Sequence, residues 1–244
     1  MASRPPRVRS FELAPGRVIG GKYVVQRRLG AGWEGEVYQV VERRTGATRA
    51  AKVFFPQRNQ GDRALRYYAR KLERLRGCPL LITYHHSEVL RWRGLQVSVL
   101  ISELVEGRLL EDFIAAQPRR RLPLFEALHI LYGLAAGVET IHDRREYHGD
   151  LHTGNVIVRR RGIGFDLKLV DFFDQGKADR YQMREDVVDL IHLFTECLGG
   201  RPAYAGLPKV AKGIIRGWRR DLLARSFPTA GHLRRHLENL SWDE

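Results

Sequence analysis

The sequence has little cysteine and no long apolar run. Cys78 and Cys197 are too few for a disulfide framework, and no CxxC pair is present for zinc or redox chemistry, so we expect a reducing, cytosolic setting. The first nine residues are basic but lack the apolar core of a secretory signal. The richest apolar stretch, residues 122–138, carries Glu126 and His129 and falls short of the roughly 18–20 uninterrupted apolar residues of a membrane span. We therefore predict a soluble, cytoplasmic protein with no membrane span.

Acidic residues are also scarce relative to basic ones. The 244 residues contain 42 Lys and Arg against 28 Asp and Glu, and only seven of the basic residues are lysines. Residues 1–105 hold 20 basic and 8 acidic residues, a net charge of +12, whereas residues 106–244 carry only +2. Arginine clusters favour phosphate and carboxylate groups, so an acidic macromolecule or RNA is a candidate partner of the N-terminal part. The alternative is a purely solvated basic surface.

The pattern of apolar residues divides the chain into two regions of different character. Residues 1–16, with Pro5 and Pro6, predict an extended basic tail. Alternating and β-branched residues then predict strands at 23–25, 37–41, 49–55, 81–89 and 95–101, and helical spacing predicts one helix at 62–76. After Glu103 the pattern predicts helices at 109–116, 122–142, 185–198, 207–224 and 229–240, with short strands at 155–158 and 167–170. We therefore predict an α+β fold with a β-rich lobe at 17–105, a hinge near 103–107 and a helical lobe at 106–244.

Two features of the β-rich region suggest a phosphate site. Gly30, Gly32 and Gly35 form a glycine-rich turn between two strands, where backbone N–H groups can approach phosphate oxygens without a Cβ in the way. Taken alone, this turn is as consistent with an ordinary hairpin. Lys52 lies between apolar neighbours in a predicted strand, where a buried ammonium group needs an anionic partner.

The most informative segment is His148-Gly149-Asp150-Leu151-His152-Thr153-Gly154-Asn155, followed by Asp171 at the end of the next strand. Asp150, Asn155 and Asp171 supply carboxylate and amide oxygens within a short span. Such oxygens suit Mg²⁺ bound with phosphates, and a carboxylate can accept the proton of an acceptor hydroxyl. Each residue could also be an ordinary turn former, but their arrival in this order favours a chemical role.

Together the motifs GxGxxGxV, AxK, HxDxxxxN and DFx resemble those of the protein-kinase superfamily, over roughly residues 18–240. The resemblance implies a bilobal kinase-like fold, ATP and Mg²⁺ as cofactors, and a hydroxyl-bearing acceptor. It implies that Asp150 is the catalytic base, that Asn155 and Asp171 hold Mg²⁺, and that Lys52 holds the ATP phosphates. The remaining implied nucleotide contacts are the phosphate-covering Gly30, Gly32 and Gly35, the adenine-contacting Val37, Ala50, Glu103 and Val105, and the gatekeeper Ser102. His142 and His148 are read as core-packing histidines.

The sequence departs from the family pattern at several points. Gly149 replaces the arginine of HRD, and Phe173 replaces the glycine of DFG. The interval from Asp171 to Asp186 is short and contains no APE motif, so the usual activation segment is absent.

The family's helix glutamate, which pairs with the ATP-binding lysine, is also uncertain. Glu73 is the candidate in the predicted helix, although the family spacing measured from Leu72 and Leu75 falls on Tyr68.

These observations leave three functions open. A compact Ser/Thr protein kinase is the first choice. A small-molecule kinase similar to the aminoglycoside phosphotransferases is the second, because the wording HGDLHxGN is typical of that group. The third is a kinase-shaped ATP-binding scaffold or a nucleic-acid-associated atypical kinase, which the short activation segment and the basic charge favour.

Overall fold

The computed structural model describes residues 7–172, 176 and 178–241. The chain divides into two compact units, which we describe separately. Unit 1 contains the chain up to Arg76 together with Ile82–Val105, and unit 2 contains Gly77–Leu81 together with the chain from Glu106 onward.

Unit 1 is a six-stranded antiparallel sheet with one helix. Its strands follow the order β1-β2-β3-β4-β6-β5 across the sheet. The elements are β1 (Val18–Ile19), β2 (Tyr23–Ala31), β3 (Gly35–Glu42), β4 (Thr48–Phe54), α1 (Arg63–Arg74), β5 (Tyr84–Trp92) and β6 (Leu95–Glu103). Alternation along β4 sends Ala51 and Val53 into a fully buried core on one face and Ala50 and Lys52 to the other face.

The segment before β1 is part of this core, which corrects the prediction of an extended tail for its described residues. Val8, Phe11 and Leu13 are all buried. The Phe11 ring stacks on Phe55 at a centroid distance of 5.4 Å, and the Trp92 indole N–H donates to the Phe11 carbonyl at 3.2 Å. The apolar face of this short segment therefore outweighs its basic character.

Buried polar groups also hold the segment in place. The Glu36 carboxylate accepts hydrogen bonds from the Ser10 hydroxyl at 2.6 Å, from the Phe11 N–H at 3.1 Å and from the Tyr38 hydroxyl. Burial favours the neutral acid, but these hydrogen bonds outweigh it and hold the pKa of Glu36 below its usual value. Burial and the bond to Glu36 raise the pKa of Tyr38 to about 12.

Unit 2 is mainly helical and carries a small three-stranded sheet of order β7-β8-β9. Its strands are β7 (Arg108–Leu109), β8 (Val156–Arg161) and β9 (Gly164–Leu169). Its helices are α2 (Leu110–Ala115), α3 (Leu124–Asp143), α4 (Arg180–Cys197), α5 (Gly200–Ala203), α6 (Lys209–Ile215), α7 (Arg220–Ser226) and α8 (Ala230–Glu238). Leu80 and Leu81 join this unit because the Leu169 N–H donates to the Leu80 carbonyl at 2.7 Å.

The single helix predicted at 207–224 is wrong, because the structure breaks it into α6 and α7. Arg216, Gly217 and Trp218 all take positive φ angles, of 48°, 61° and 58°, which no α-helix can contain. The chain therefore turns between the two short helices.

Helix α3 is long and apolar enough, judged by length and composition, to cross a membrane. In the structure it packs against α4, α8 and β9, and the apolar side chains on its inner face, among them Leu131, Leu134 and Val138, are fully buried, whereas Phe125 and Tyr132 are exposed. It is the core helix of unit 2, and core helices share the composition of membrane spans.

Candidate active site

The predicted glycine-rich turn joins β2 to β3. The Gly32 N–H donates to the Gly35 carbonyl at 2.9 Å and closes the turn. A Cβ added to Gly35 would lie only 2.1 Å from the Val53 carbonyl oxygen, so glycine is required where the turn packs against β4. A Cβ at Gly30 or Gly32 would meet nothing within 4 Å, so open space lies beside the backbone there.

Lys52 is buried on β4 and its ammonium group is paired within unit 1. Its Nζ atom lies 3.0 Å from Glu34 Oε2 and 3.0 Å from the Tyr68 hydroxyl, and 4.2 Å from the centre of the Tyr68 ring. The carboxylate offsets the cost of burying the charge. The expectation of an anionic partner for Lys52 is met inside the protein by Glu34.

The prediction that Glu73 pairs with Lys52 is wrong. Glu73 forms an ion pair with Arg76 at 2.8 Å, and its side chain is 52% exposed. Tyr68 is buried and faces Lys52 from α1. The two positions are five residues apart, about 140° around the helix, so they cannot face the same partner.

Two of the residues expected to contact adenine, Val37 and Ala50, lie on the same face of the sheet as Lys52. Val37 is directly opposite Lys52 across β3 and β4, and Ala50 is opposite the buried Ser102 across β4 and β6. Glu103 ends β6 and accepts the Thr83 N–H through Oε1 at 3.0 Å. Val105 is half-buried at the end of unit 1.

In unit 2 the loop around Asp150 is held by one buried carboxylate that sequence reasoning missed. Asp186, on α4, accepts hydrogen bonds from the His148 N–H at 2.7 Å and the Gly149 N–H at 2.8 Å, and contacts His142 Nε2 at 3.0 Å. It is completely buried. The sequence does carry a sign of this role, because Asp186 is an acidic residue on the otherwise apolar face of α4.

The backbone conformation at Gly149 accounts for the glycine that replaces the arginine of HRD in this loop. Its φ angle is +85°, in the left-handed region that glycine adopts without strain. Both N–H groups next to Asp186 are presented by this turn. Glycine replaces the family's arginine at this position because the loop needs a left-handed backbone conformation there.

His148 and His142 form hydrogen bonds inside unit 2. The Asp150 N–H donates to His148 Nδ1 at 3.3 Å, and His148 Nε2 lies 3.1 Å from the Val170 carbonyl. A ring nitrogen that accepts and another that faces a carbonyl define the neutral Nε2–H tautomer. His148 links the loop of Asp150 to the end of β9, just before Asp171.

Asn155 orients Asp150. Its side-chain N–H₂ group donates to the Asp150 carbonyl at 2.9 Å and to Asp150 Oδ2 at 3.0 Å. The amide carbonyl oxygen of Asn155 then remains for a cation. The Val170 N–H donates to the Asn155 carbonyl at 3.0 Å, and Asp171 is the next residue in the chain. This bond therefore ties the backbone just before Asp171 to the backbone of Asn155.

The Asp150 side chain is 49% exposed, and His152 Nε2 lies 3.6 Å from its Oδ2 atom. The Gly154 N–H donates to the other His152 ring nitrogen at 3.1 Å. Sequence reasoning gave His152 no role. Phe173, the residue that replaces the DFG glycine, lies outside the described residues.

Comparison with known proteins places these motifs in a family. The model of the protein kinase domain matches residues 23–200. The chain is 34% identical over 160 residues to the serine/threonine-protein kinase pkn2 of Myxococcus xanthus, covering 64% of this chain and 18% of that protein. It is 29% identical over 214 residues to the CBL-interacting protein kinase 30 of Oryza sativa subsp. japonica, covering 84% and 40%. The chain thus spans less than half the length of these curated relatives.

Solved structures agree with the family match. A double mutant of the PknI kinase domain of Mycobacterium tuberculosis superposes with a TM-score of 0.66 at 23% identity, covering 93% of this chain and 96% of that one. This likeness confirms the predicted α+β fold of an antiparallel-sheet unit and a helical unit. The family model covers most of the chain and spans the glycine-rich turn, Lys52, Asp150, Asn155 and Asp171. The chain belongs to the protein kinase domain family.

Proposed function

We propose that this chain is an ATP- and Mg²⁺-dependent Ser/Thr protein kinase, which transfers the γ-phosphoryl group of ATP to a protein hydroxyl. One observation carries the proposal: the Asn155 side chain is bonded to both the backbone and the carboxylate of Asp150. This arrangement fixes a half-exposed carboxylate beside an amide oxygen that suits a hard cation.

In this function Asp150 accepts the proton of the acceptor hydroxyl as the new bond forms to phosphorus. Asn155 and Asp171 would hold Mg²⁺ through their oxygens, and Lys52 would bind phosphate oxygens through its ammonium group. Val37, Ala50, Glu103 and Val105 would contact the adenine. ATP would supply the phosphoryl group, and Mg²⁺ would neutralise the charge that develops on it.

The residues fit these cofactors. The part of the chain that the structure describes contains no cluster of three or more His, Cys, Asp and Glu residues that could hold a metal by itself. Mg²⁺ typically needs only one or two protein carboxylates together with substrate phosphates and water. The open backbone at Gly30 and Gly32 leaves room for phosphate oxygens in the turn.

The names of the relatives support a protein acceptor over a small molecule, since pkn2 is a serine/threonine-protein kinase and others are named as protein kinases. Neither relative described above is named for RNA binding, and we do not propose the RNA partner considered from the charge of unit 1. Cys78 and Cys197 are both buried free thiols, which supports a reducing cytoplasmic setting.

The test compares Mg²⁺-ATP binding and turnover in the wild type and in Asp150→Asn. Loss of the base should lower phosphoryl transfer by about 100-fold or more while ATP binding is retained. Asp143→Asn is the matched control, because Asp143 is an exposed aspartate at the end of α3. If Mg²⁺-ATP binds, no phosphate leaves it, and Asp150→Asn changes nothing, the chain is an ATP-binding scaffold and the kinase proposal fails.

A further inference from the structure

Lys52 needs a carboxylate partner, and helix α1 does not provide it. Glu73 is the one acid in α1, and it is paired with Arg76. The α1 residue that reaches Lys52 Nζ is Tyr68, which brings a hydroxyl group and not a carboxylate. Within unit 1, the carboxylate that lies beside Lys52 comes from a different element.

That element is the glycine-rich turn. Glu34 Oε2 lies 3.0 Å from Lys52 Nζ, and the two side chains are only 23% and 11% exposed. A hydrogen-bonded ion pair that is largely removed from water restricts both side chains more strongly than a surface pair does. Glu34 therefore limits the positions that the Lys52 ammonium group can take.

The backbone of Glu34 is itself fixed. The Phe55 N–H donates to the Glu34 carbonyl at 2.8 Å, which ties the turn to the end of β4. Gly35 has no Cβ and packs directly against the Val53 carbonyl. On the other side of Glu34, the Arg58 guanidinium group lies 3.1 Å from the centre of the exposed Trp33 ring. These contacts hold Glu34 beside the strand that carries Lys52.

We propose that Glu34 is the positioning residue for Lys52, so that the glycine-rich turn supplies the carboxylate that α1 lacks. The proposal rests on the proposed function, in which Lys52 binds ATP phosphates. Its consequence is that the orientation of Lys52 depends on the turn between β2 and β3 and not on a carboxylate carried by α1. The opposing reading is that Glu34 is a competing anion, which occupies Lys52 until nucleotide displaces it.

Steady-state kinetics with Mg²⁺-ATP separate the two readings. If Glu34 positions Lys52, Glu34→Gln lowers kcat by about tenfold or more with a smaller change in KM for ATP. If Glu34 competes with phosphate, the same variant lowers KM and retains kcat, and the proposal is overturned. Glu73→Gln is the matched control and should stay within about twofold of the wild type, because Glu73 does not reach Lys52.

A second variant distinguishes loss of the Lys52 partner from a simple folding defect in Glu34→Gln. The Tyr68 hydroxyl is as close to Lys52 Nζ as Glu34 is, so Tyr68→Glu places a carboxylate on α1 facing the same ammonium group. Combined with Glu34→Gln, it should restore kcat to within about threefold of the wild type. Failure of this exchange to recover any activity lost in Glu34→Gln would argue against a positioning role.

Lysine acylation gives a readout that needs no turnover, and the chain has only seven lysines to resolve by mass spectrometry. With acetic anhydride at about pH 8, Glu34→Gln should raise the acetylation rate of Lys52 several-fold, because a nearby carboxylate favours the unreactive ammonium form. The acetylation rates of the other lysines should not change. An unchanged Lys52 rate overturns the role of Glu34. By contrast, failure of Mg²⁺-ATP to protect Lys52 in the wild type, with no turnover, overturns the proposed function.

Discussion

Asp186→Asn should destabilise unit 2 and loosen the loop that carries Asp150. The carboxylate receives two backbone N–H groups, from His148 and Gly149, and contacts the His142 ring, all while completely buried. An asparagine side chain has one oxygen to accept with, and its N–H₂ group would face a donor at the other position. Losing one hydrogen bond to a charged group costs about 1.5–3 kcal/mol, and the buried backbone N–H that is left without an acceptor costs about 1–3 kcal/mol more, which together make about 2.5–6 kcal/mol. The lower cost of burying an amide offsets part of this, which leaves about 3 kcal/mol.

The assay is urea denaturation combined with hydrogen exchange of residues 148–155. We expect the free energy of unfolding to fall by about 3 kcal/mol and the amides of this loop to lose protection. Asp221→Asn is the control, because Asp221 is an exposed aspartate on α7 whose pair with Arg219 is 3.3 Å long. A change within about 0.5 kcal/mol for Asp186→Asn, with loop protection intact, would refute the role given to this carboxylate.

Two further predictions concern stability. Phe11→Ala should lower the free energy of unfolding by about 3–4 kcal/mol, because it empties a buried site between Phe55 and Trp92. It should also shift the tryptophan fluorescence of the folded protein. Unchanged fluorescence and stability would show that the segment does not pack there. Asp189→Asn should stabilise the protein increasingly as pH rises. Burial and the carboxylates of Asp186 and Glu185 raise the pKa of Asp189 to about 7, so the folded state holds a proton that the unfolded state releases above pH of about 4. The gain should be near zero at about pH 4 and on the order of 2 kcal/mol at about pH 8, after allowance for partial exposure, as measured by urea midpoints; a gain that does not vary with pH contradicts this reasoning.

The strands of unit 1 and most helices of unit 2 could be predicted because their apolar periodicity is local. The glycine-rich turn, Lys52 and the Asp150–Asn155 loop could be proposed as site candidates for a similar reason, since each is a short run of residues with a chemical signature. Predicted ends differ from the observed ones by a few residues. For example, the helix predicted at 185–198 begins at Arg180, where Asp179 caps it through the N–H groups of Tyr181 and Gln182.

What the sequence could not predict depends on contacts between distant residues. The segment around Phe11 looks solvated and basic until Phe55 and Trp92 are folded against it. The spacing in α1 could show that Glu73 was badly placed, but not that a turn 18 residues before Lys52 would bring Glu34 to it. Asp186 holds a loop that lies 37 residues earlier at Gly149, and no local pattern connects the two.

The most direct test of the proposed function is the identity of the phosphorylated product. The protein is incubated with γ-labelled ATP, Mg²⁺ and a mixture of peptides that contain serine, threonine or tyrosine as the acceptor, and the labelled amino acid is identified. We predict label on serine and threonine that is lost in Asp150→Asn and retained in Asp143→Asn. Label on no peptide, from a protein that binds Mg²⁺-ATP, would contradict the proposal that this chain is a Ser/Thr protein kinase.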